Sequence, residues 1–268
     1  MVNVKKLNGD LEPYNEEKLR KSLYSSGADE ETATAVLEKV KAFLYEGIET
    51  KVLYKFVLKE FKSRQPMTSA RYALKNAILQ LGPDGFPFEV LIGEIFKKKG
   101  YTILVDQHVQ GKLIDHEIDV VAEKQKEKLM VECKYHIKPW TGTSIHTALY
   151  VYARFLDVQE RFTAPFLITN TKFSPQIITY ATGVGLKLMG WKYPPDDSLE
   201  RNIESFKLYP ITMLHSIDGK SDRQLLSHKI VLVQQLAVMA RDELSQLLAI
   251  SPKKATRILD EAKAFSQD

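Results

Sequence analysis

The chain of 268 residues contains one cysteine, Cys133, and no long apolar run. A single thiol excludes an internal disulfide and any zinc site built from several cysteines. The polar N-terminus does not match a signal peptide, and nothing predicts a membrane-spanning helix, so we expect a cytoplasmic protein. A Gly-rich phosphate loop ending in Lys-Ser or Lys-Thr is also absent, which argues against an ATP-hydrolysing motor.

Charge excludes little, because the net charge is only +4 and the basic residues are spread along the chain. That excess permits nucleic-acid binding without requiring it. The hydrophobic fraction of 44% and the charged fraction of 27% are ordinary for a soluble globular protein with a real core. Composition alone leaves the function open.

The most informative stretch predicts a β-hairpin, with strand patterns at 117–122 and 128–135 around a charged turn. Alternation along the second strand sends Glu132 and Lys134 to the same face. Asp119 on the first strand reaches that face across the hairpin. Two carboxylates and an ammonium group therefore converge, which is the minimum for metal-assisted phosphodiester hydrolysis.

Helix and strand patterns alternate around this hairpin, as in an α/β domain. A helix at 88–96 and a strand at 101–105, with a further extended piece at 107–111, precede it. A long helix at 143–161 follows, and then come a strand at 165–169, a helix from Ser174 and a strand-like segment at 185–191. This order resembles the αβββαβ core, with its mixed sheet, of the PD-(D/E)XK nucleases, and closest their Mrr-like restriction endonuclease branch. The resemblance rests on Phe88-Glu89, Gly100-Tyr101, Glu117-Ile118-Asp119-Val120 and Val131-Glu132-Cys133-Lys134-Tyr135.

The resemblance implies that Asp119 and Glu132 bind Mg²⁺ or Mn²⁺ and that Lys134 orients or deprotonates the attacking water. Glu89 would add a metal ligand or a hydrogen-bond acceptor behind the two acids. The alternative for Glu132 and Lys134 is a surface pair across the sheet. Their apolar neighbours favour a central strand instead, where polar groups need partners. Glu89 has an equally simple alternative, because an acid in the first turn of a helix is favourable without any function.

The first 80 residues predict a small separate unit. A hairpin at 1–12 turns at Asn8-Gly9, Asn15 caps a helix, and further helices follow at 29–44, 50–61 and 68–81. This unit resembles the ATP-cone, a regulatory nucleotide-binding domain, through Val4-Lys5-Lys6-Leu7-Asn8-Gly9, Glu12-Pro13-Tyr14-Asn15 with Lys18-Leu19, and Ala70-Arg71-Tyr72-Ala73.

The ATP-cone resemblance implies a site for ATP or dATP. Its residues would be Val4, Lys5, Lys6, Asn8, Glu12 and Lys18, with the lysines beside exposed helix N–H groups. Leu7 stands where the family usually has arginine, so one cation of the pattern is missing. The alternative is that these lysines are solvated surface charges.

Other polar residues are candidates for contact with nucleic acid. His116, His136, Lys138 and Trp140 flank the hairpin. The C-terminal segment reads as a long helix at 221–241, a short helix, and a last helix beginning at Ser251-Pro252. It resembles a helix-hairpin-helix unit in which Lys253 and Lys254 contact phosphate, although Ser251 is equally well explained as a helix cap. Arg154, Gln159 and Arg161 are assigned to the outer face of the long helix.

Together these patterns predict an ATP-cone at 1–82, a catalytic nuclease domain at 86–196 and a helical segment at 197–268. The predicted function is a divalent-metal-dependent DNA endonuclease regulated by ATP or dATP, with RNA left open as the polymer. A homodimer is expected from the need to cut two strands. The alternative is a non-cleaving, nucleotide-sensing protein that binds nucleic acid. The complete set of Asp119, Glu132 and Lys134 argues against it, since a binding module need not crowd acids where phosphates sit.

Overall fold

A computed structural model describes residues 2–6, 9–65, 68–69, 72–138 and 141–267. The chain forms two compact units, Met1–Asn76 and Ala77–Asp268. Each unit has its own core, and each is described by itself below. Within the described ranges, no helix combines the length and the apolar character needed to cross a membrane.

The first unit contains a three-stranded sheet. Strands β1 (Asn3–Lys5) and β2 (Leu11–Pro13) are antiparallel, which confirms the predicted hairpin, although its turn residue Asn8 lies outside the described residues. A third strand, β3 (Ile48–Glu49), pairs in parallel with β1 and was not predicted. Two residues give too short a pattern to recognise in the sequence.

Helices α1 (Glu16–Ser25), α2 (Glu30–Phe43) and α3 (Thr50–Lys62) cover this sheet. The predicted cap is present, since the Asn15 side chain accepts the Lys18 N–H at 2.8 Å. Of the predicted helix at 68–81, α4 (Leu74–Ile78) is described, and Ala70-Arg71 lie outside the described residues. The core consists mainly of aliphatic side chains from the three helices and two strands: Val4, Leu23, Val36, Leu37, Val40, Ile48, Val57 and Phe61.

The second unit is built on a mixed five-stranded sheet in the order β4-β5-β6-β7-β8. The first two neighbouring pairs are antiparallel and the last two are parallel, which confirms the predicted α/β class with a mixed sheet. Its elements are α5 (Phe86–Lys98), β4 (Thr102–Gln110), β5 (Asp115–Lys124), β6 (Glu127–Lys134), α6 (Ile145–Val158), β7 (Ala164–Thr169), α7 (Pro175–Val184) and β8 (Lys187–Met189).

The helices cover both faces of this sheet. Leu167 of β7 belongs to the same cluster as Ala148 and Val151 of α6, whereas its neighbour Phe166 contacts Phe96 of α5 with ring centroids 5.6 Å apart. Adjacent residues of a strand point to opposite faces, so α5 and α6 lie on opposite sides. Not every apolar residue of α6 packs on the sheet, since Leu156 is 45% exposed.

Strand register brings three acids into line. Two separate pieces were predicted, but β4 is a single strand. It runs through Asp106, whose backbone is in a left-handed conformation at φ 56°. Val105 pairs with Val120 and Gln107 with Ile118, so Asp106 lies opposite Asp119. The β5–β6 pairing of Val120 with Val131 puts Glu132 next to Asp119 on the other side.

The C-terminal segment is a set of short helices: α8 (Leu199–Ser205), α9 (Gly219–Ser227), α10 (Val233–Ala237), α11 (Arg241–Leu248) and α12 (Pro252–Gln267). The single long helix predicted at 221–241 is therefore wrong. The chain leaves the helix at Lys229, with φ 63°. Val231 then accepts the Ile211 N–H at 2.9 Å, and the Val233 N–H donates to Tyr209 at 2.9 Å. These backbone hydrogen bonds hold residues 231–233 in an extended conformation, although the apolar residues on both sides keep a helical spacing.

Candidate active site

Asp119 lies near the middle of β5 and is fixed by the neighbouring strand. Its Oδ2 accepts the backbone N–H of Cys133 at 2.6 Å. Burial raises the pKa of the carboxyl group, while that N–H and the Arg154 guanidinium act in the opposite direction. The net result is a raised pKa, so this acid is destabilised as an anion without a further cation.

Glu132 lies on β6 beside Asp119 and forms an ion pair. Its Oε2 is 2.6 Å from Nη1 of Arg154, and the two side chains are 17% and 10% exposed. Burial, followed by the charge of Asp119, raises the pKa of Glu132 to about 7, although Arg154 and Lys134 oppose the shift. Two neighbouring carboxylates thus compete for one internal cation.

Glu89 approaches the same place from the first turn of α5. Burial raises its pKa to about 7, and the charges of Asp119 and Asp106 add to the shift. An acid that merely favoured the helix N-terminus would have no such shift upward. We call Glu89, Asp119 and Glu132 the acid cluster.

Lys134 ends β6 two residues beyond Glu132, and its side chain is exposed. Its positive charge acts on Glu132 and lowers the pKa of that carboxyl group. The structure therefore brings together Asp119, Glu132, Lys134 and Glu89, the residues predicted to be catalytic. Their catalytic and metal-binding roles stay predictions.

Among the described residues, no group of three or more His, Cys, Asp or Glu side chains is arranged to hold a metal ion. Asp119 and Glu132 form a two-carboxylate pair instead. Two carboxylates are a common protein contribution to a Mg²⁺ site, where water and substrate phosphate complete the coordination. The donor set therefore fits Mg²⁺ or Mn²⁺, provided that Glu132 releases Arg154.

Arg154 of α6 was assigned to an outer face, and that assignment is wrong. Besides Glu132, its Nη1 donates to the Glu117 carbonyl oxygen at 2.8 Å, and its guanidinium stacks on the Tyr150 ring 4.5 Å from the centroid. A signal was present in the sequence, since Arg154 follows Val151 by three residues and precedes Val158 by four. Those spacings place it beside the apolar stripe of the helix. Asp106 was missed because it falls between two predicted segments.

His116 is held by Asp157, a residue of α6. The His116 Nε2 lies 2.8 Å from Asp157 Oδ2, and both side chains are nearly buried. Asp157 also accepts the backbone N–H groups of Leu113 at 2.8 Å and Ile114 at 3.2 Å. Asp157 thus ties both the β4–β5 loop and His116 of β5 to α6, and the predicted contact of His116 with phosphate stays a prediction.

His136 follows β6 and is tied to buried Asn170. Its backbone N–H donates to Asn170 Oδ1, and its carbonyl oxygen accepts from Asn170 Nδ2, both at 2.8 Å. Burial, and then the charge of Lys134, lowers the pKa of the imidazole. Lys138 is exposed, and Trp140 lies outside the described residues. Nucleic-acid contacts by these three residues remain predictions.

The first unit contains a cleft of about 260 Å³ that we call the tyrosine cleft. Tyr54 and Tyr72 stack with ring centroids 5.5 Å apart. The Tyr14 hydroxyl is buried and has no hydrogen-bond partner among the described residues. Burial, followed by the charge of Glu16, raises the Tyr14 pKa to about 12, so the hydroxyl keeps its proton as a donor.

Four of the residues predicted to bind nucleotide line the tyrosine cleft, namely Val4, Lys6, Glu12 and Lys18. Lys6 Nζ is 2.9 Å from Glu12 Oε2. Lys5 is exposed and is absent from the lining, and Asn8 lies outside the described residues. Nucleotide binding by this set remains a prediction.

The C-terminal lysines begin α12. The Ser251 hydroxyl accepts the Lys254 N–H at 3.3 Å, which is the capping geometry expected of any helix. Lys254 Nζ is 2.7 Å from Asp218 Oδ2, and Lys253 is exposed. Phosphate contact by Lys253 and Lys254 is neither required nor opposed by these pairings and stays a prediction.

The mixed sheet with its acid cluster is the architecture of a restriction-endonuclease-type domain, and residues 82–191 match the family model described as "Restriction endonuclease". Residues 209–265 match a second model, "AF1548-like, C-terminal". An uncharacterized protein of Archaeoglobus fulgidus is 40% identical over 173 residues, which are 64% of this chain and 98% of that protein. The chain belongs to this AF1548-like family.

A solved relative has the same fold. The crystal structure of the protein of unknown function AF1548 aligns with a TM-score of 0.59 at 37% identity, covering 69% of this chain and 100% of that one. The match of residues 82–191 to the restriction endonuclease model confirms the predicted restriction-endonuclease-like domain.

Proposed function

We propose that the protein is a divalent-metal-dependent endonuclease that cleaves DNA. The observation that carries this proposal is the pair of buried carboxylates, Asp119 and Glu132, beside Lys134 in a domain of the restriction endonuclease family. Buried like charges are costly, and a divalent cation would relieve their repulsion.

Asp119 and Glu132 are the residues that would hold Mg²⁺ or Mn²⁺. Such an ion, when bound, polarises the scissile phosphate and neutralises charge in the transition state. Lys134 would orient the attacking water or take its proton, and Glu89 would accept a hydrogen bond behind the two ligands. Peptide N–H donation from Cys133 keeps Asp119 in position for this role.

A plasmid-nicking assay with Mg²⁺ or Mn²⁺ tests the proposal. We expect metal-dependent cutting by the wild type and loss of cutting by Asp119→Ala and Lys134→Ala. Asp115→Ala is the matched control, since Asp115 lies on the same strand and its exposed side chain pairs with His108. Undiminished cutting by Asp119→Ala would contradict the site assignment. Parallel RNA substrates separate DNA from RNA as the polymer.

We further propose that the tyrosine cleft binds ATP or dATP and that the nucleotide regulates cleavage. Lys6 and Lys18 offer cations to the phosphates, the tyrosine rings offer a surface for the base, and the Tyr14 hydroxyl offers an unused donor. Regulation requires the nucleotide to bind the active and inactive states differently. Calorimetric titration with ATP and dATP, and nicking with and without them, test the two parts separately.

A non-cleaving, nucleotide-sensing protein that binds nucleic acid is the second candidate. The ion pair of Glu132 with Arg154 supports it, because the guanidinium already neutralises this carboxylate without a metal ion. Binding of DNA without metal-dependent nicking in the assay above is its expected outcome. A homodimer remains part of the proposed endonuclease, and sedimentation with and without nucleotide measures it.

A further inference from the structure

We propose that Arg154 is a phosphate-binding residue of this site, which exchanges Glu132 for the phosphate of the substrate when a divalent cation takes over the carboxylate. The inference rests on the proposed endonuclease function. Three features carry it: the position of the guanidinium, its unused donor and the charge balance around it.

The guanidinium of Arg154 contacts the same Glu132 carboxylate that the proposed metal ion would bind. Its Nη1 lies 2.6 Å from Glu132 Oε2, and the side chain is only 10% exposed. A divalent cation on Glu132 competes with the guanidinium for the charge of this carboxylate and so weakens their ion pair. Arrival of the metal therefore leaves Arg154 as a buried cation that needs a new anion.

Arg154 does not depend on Glu132 alone for its position. The Glu117 carbonyl oxygen accepts from Nη1 at 2.8 Å, Nη2 donates to the Tyr150 hydroxyl, and the Tyr150 ring lies beneath the guanidinium at 4.5 Å. These contacts persist when Glu132 turns to a metal. They hold the cation at the site while its charge becomes available.

Donor capacity remains on the guanidinium. The buried Nε of Arg154 has no hydrogen-bond partner among the described residues. With its Nε–H unused and its Nη1–H released by Glu132, the rigid donor fork of the guanidinium has two N–H groups available for a phosphate. A lysine at the same position could not reproduce that fork.

The surroundings require such a cation. Glu89 experiences the charges of Asp119, Asp106, Glu117 and Glu132 together. A DNA phosphate entering this group of acids is repelled unless cations compensate. Among the described residues, Arg154 and Lys134 are the cations with the largest effect on Glu132. Since Lys134 is proposed to serve the attacking water, Arg154 is the side chain left for the phosphate.

The test compares Arg154→Gln, Arg154→Lys and Arg161→Gln. Arg161→Gln removes the same charge from an exposed position just beyond α6 and is the matched control. Three quantities are measured on the full-length protein: Mn²⁺ binding without DNA by electron paramagnetic resonance, DNA binding in Ca²⁺, and single-turnover cleavage in Mg²⁺. Circular dichroism verifies folding. If Arg154→Gln does not fold, Arg154→Lys still provides a variant that keeps a positive charge beside Glu132.

We expect Arg154→Gln to bind Mn²⁺ at least as tightly as the wild type, because its internal competitor is gone. Its cleavage rate should fall about 100-fold, and the salt dependence of DNA binding should lose about one phosphate contact. Arg154→Lys should lose about 10-fold in rate, since the charge remains without the fork. Arg161→Gln should behave as the wild type in all three measurements.

Two results would overturn the inference while leaving the endonuclease intact. One is wild-type cleavage by both Arg154 variants. The other is loss of Mn²⁺ binding in Arg154→Gln, which would make Arg154 a structural support of the carboxylates. If the wild type itself neither binds Mn²⁺ nor cleaves, the endonuclease proposal fails and the role of Arg154 falls with it.

Discussion

The acid cluster and the tyrosine cleft handle charge in opposite ways. In the acid cluster, carboxylates of three elements are partly buried near one another, and burial is the largest cause of the raised pKa of each. In the tyrosine cleft, Lys6 is 30% exposed and keeps contact with solvent while it pairs with Glu12. Buried like charges make each member indispensable, whereas partly solvated cations share their task with water.

The largest expected effect is the loss of cleavage in Glu132→Gln. The substitution keeps the shape of the side chain but removes a proposed metal ligand and leaves Arg154 without its carboxylate. Because charge stabilisation by a bound metal is worth several kcal/mol, the rate should fall about 1000-fold. Glu127→Gln on the same strand is the control, since Glu127 pairs with Lys187 near the far end. Single-turnover assays in Mg²⁺ measure the rates. Equal rates for Glu132→Gln and Glu127→Gln would contradict the special role given to the acid cluster.

A smaller effect concerns Glu89 and the pH dependence of stability. Its pKa in the folded protein is about 7, against a usual value of 4.5. The folded state therefore binds this proton more tightly, so its stabilising contribution is full below about pH 4.5 and is lost as the pH rises through 7. After allowance for solvent screening, Glu89→Gln should be more stable than the wild type by about 1–2 kcal/mol at pH 8, with little difference at pH 4.5.

Urea denaturation in EDTA, followed by tryptophan fluorescence, measures this difference. Trp140 and Trp191 both belong to the second unit, so the signal reports on the unit that contains Glu89. The control is Glu94→Gln on the same helix, where the acid is paired with Lys97 at 2.6 Å. A pH dependence that is unchanged in Glu89→Gln would mean that the acid is not buried as described.

The tyrosine cleft provides the third prediction, through two adjacent lysines. Lys6 lines the cleft and Lys5 does not. Lys6→Ala should weaken ATP binding about 10-fold, which is the typical value of one charge-assisted hydrogen bond that stays partly solvated. Lys5→Ala should change it less than twofold. Isothermal titration calorimetry decides between them, and equal losses would show that the lysines act only through net charge.

The two regions also differ in how much of each could be predicted from sequence. Asp119, Glu132 and Lys134 lie within one hairpin, where alternation and a short turn fix which side chains meet. Arg154 lies 22 residues after Glu132 on a separate helix, and its pairing with Glu132 depends on how α6 packs on the sheet. Its spacing from Val151 and Val158 is compatible with a position beside the apolar stripe, but that spacing does not indicate that the stripe borders two acids, and Arg154 was assigned to the outer face.

The same reasoning explains the remaining errors. The helical period at 221–241 is real, yet pairing of the extended chain at Val231 with Ile211 overrides it, as tertiary contacts often do. In the first unit, the motif included Tyr14 and Tyr72 but not Tyr54, which stacks on Tyr72 from a different element. Local patterns predict neighbours in one element well, and they predict encounters between elements only where a turn is short.

The smallest expected effect follows from the Asn15 cap, which connects a local feature of α1 to the lining of the tyrosine cleft. Asn15 accepts the Lys18 N–H at 2.8 Å and thereby fixes the first turn of α1, from which Lys18 enters the cleft. Asn15→Ala should cost about 1 kcal/mol of local stability, equivalent to roughly fivefold faster amide exchange in α1. Hydrogen-exchange mass spectrometry measures this, with Ser174→Ala, the cap of α7, as a control confined to the second unit.

ATP affinity should fall only about twofold in Asn15→Ala, since Lys18 keeps its charge and loses only its orientation. A loss as large as that of Lys6→Ala would show that the cleft depends on fixed geometry as strictly as the acid cluster does, and the contrast between the two regions would disappear.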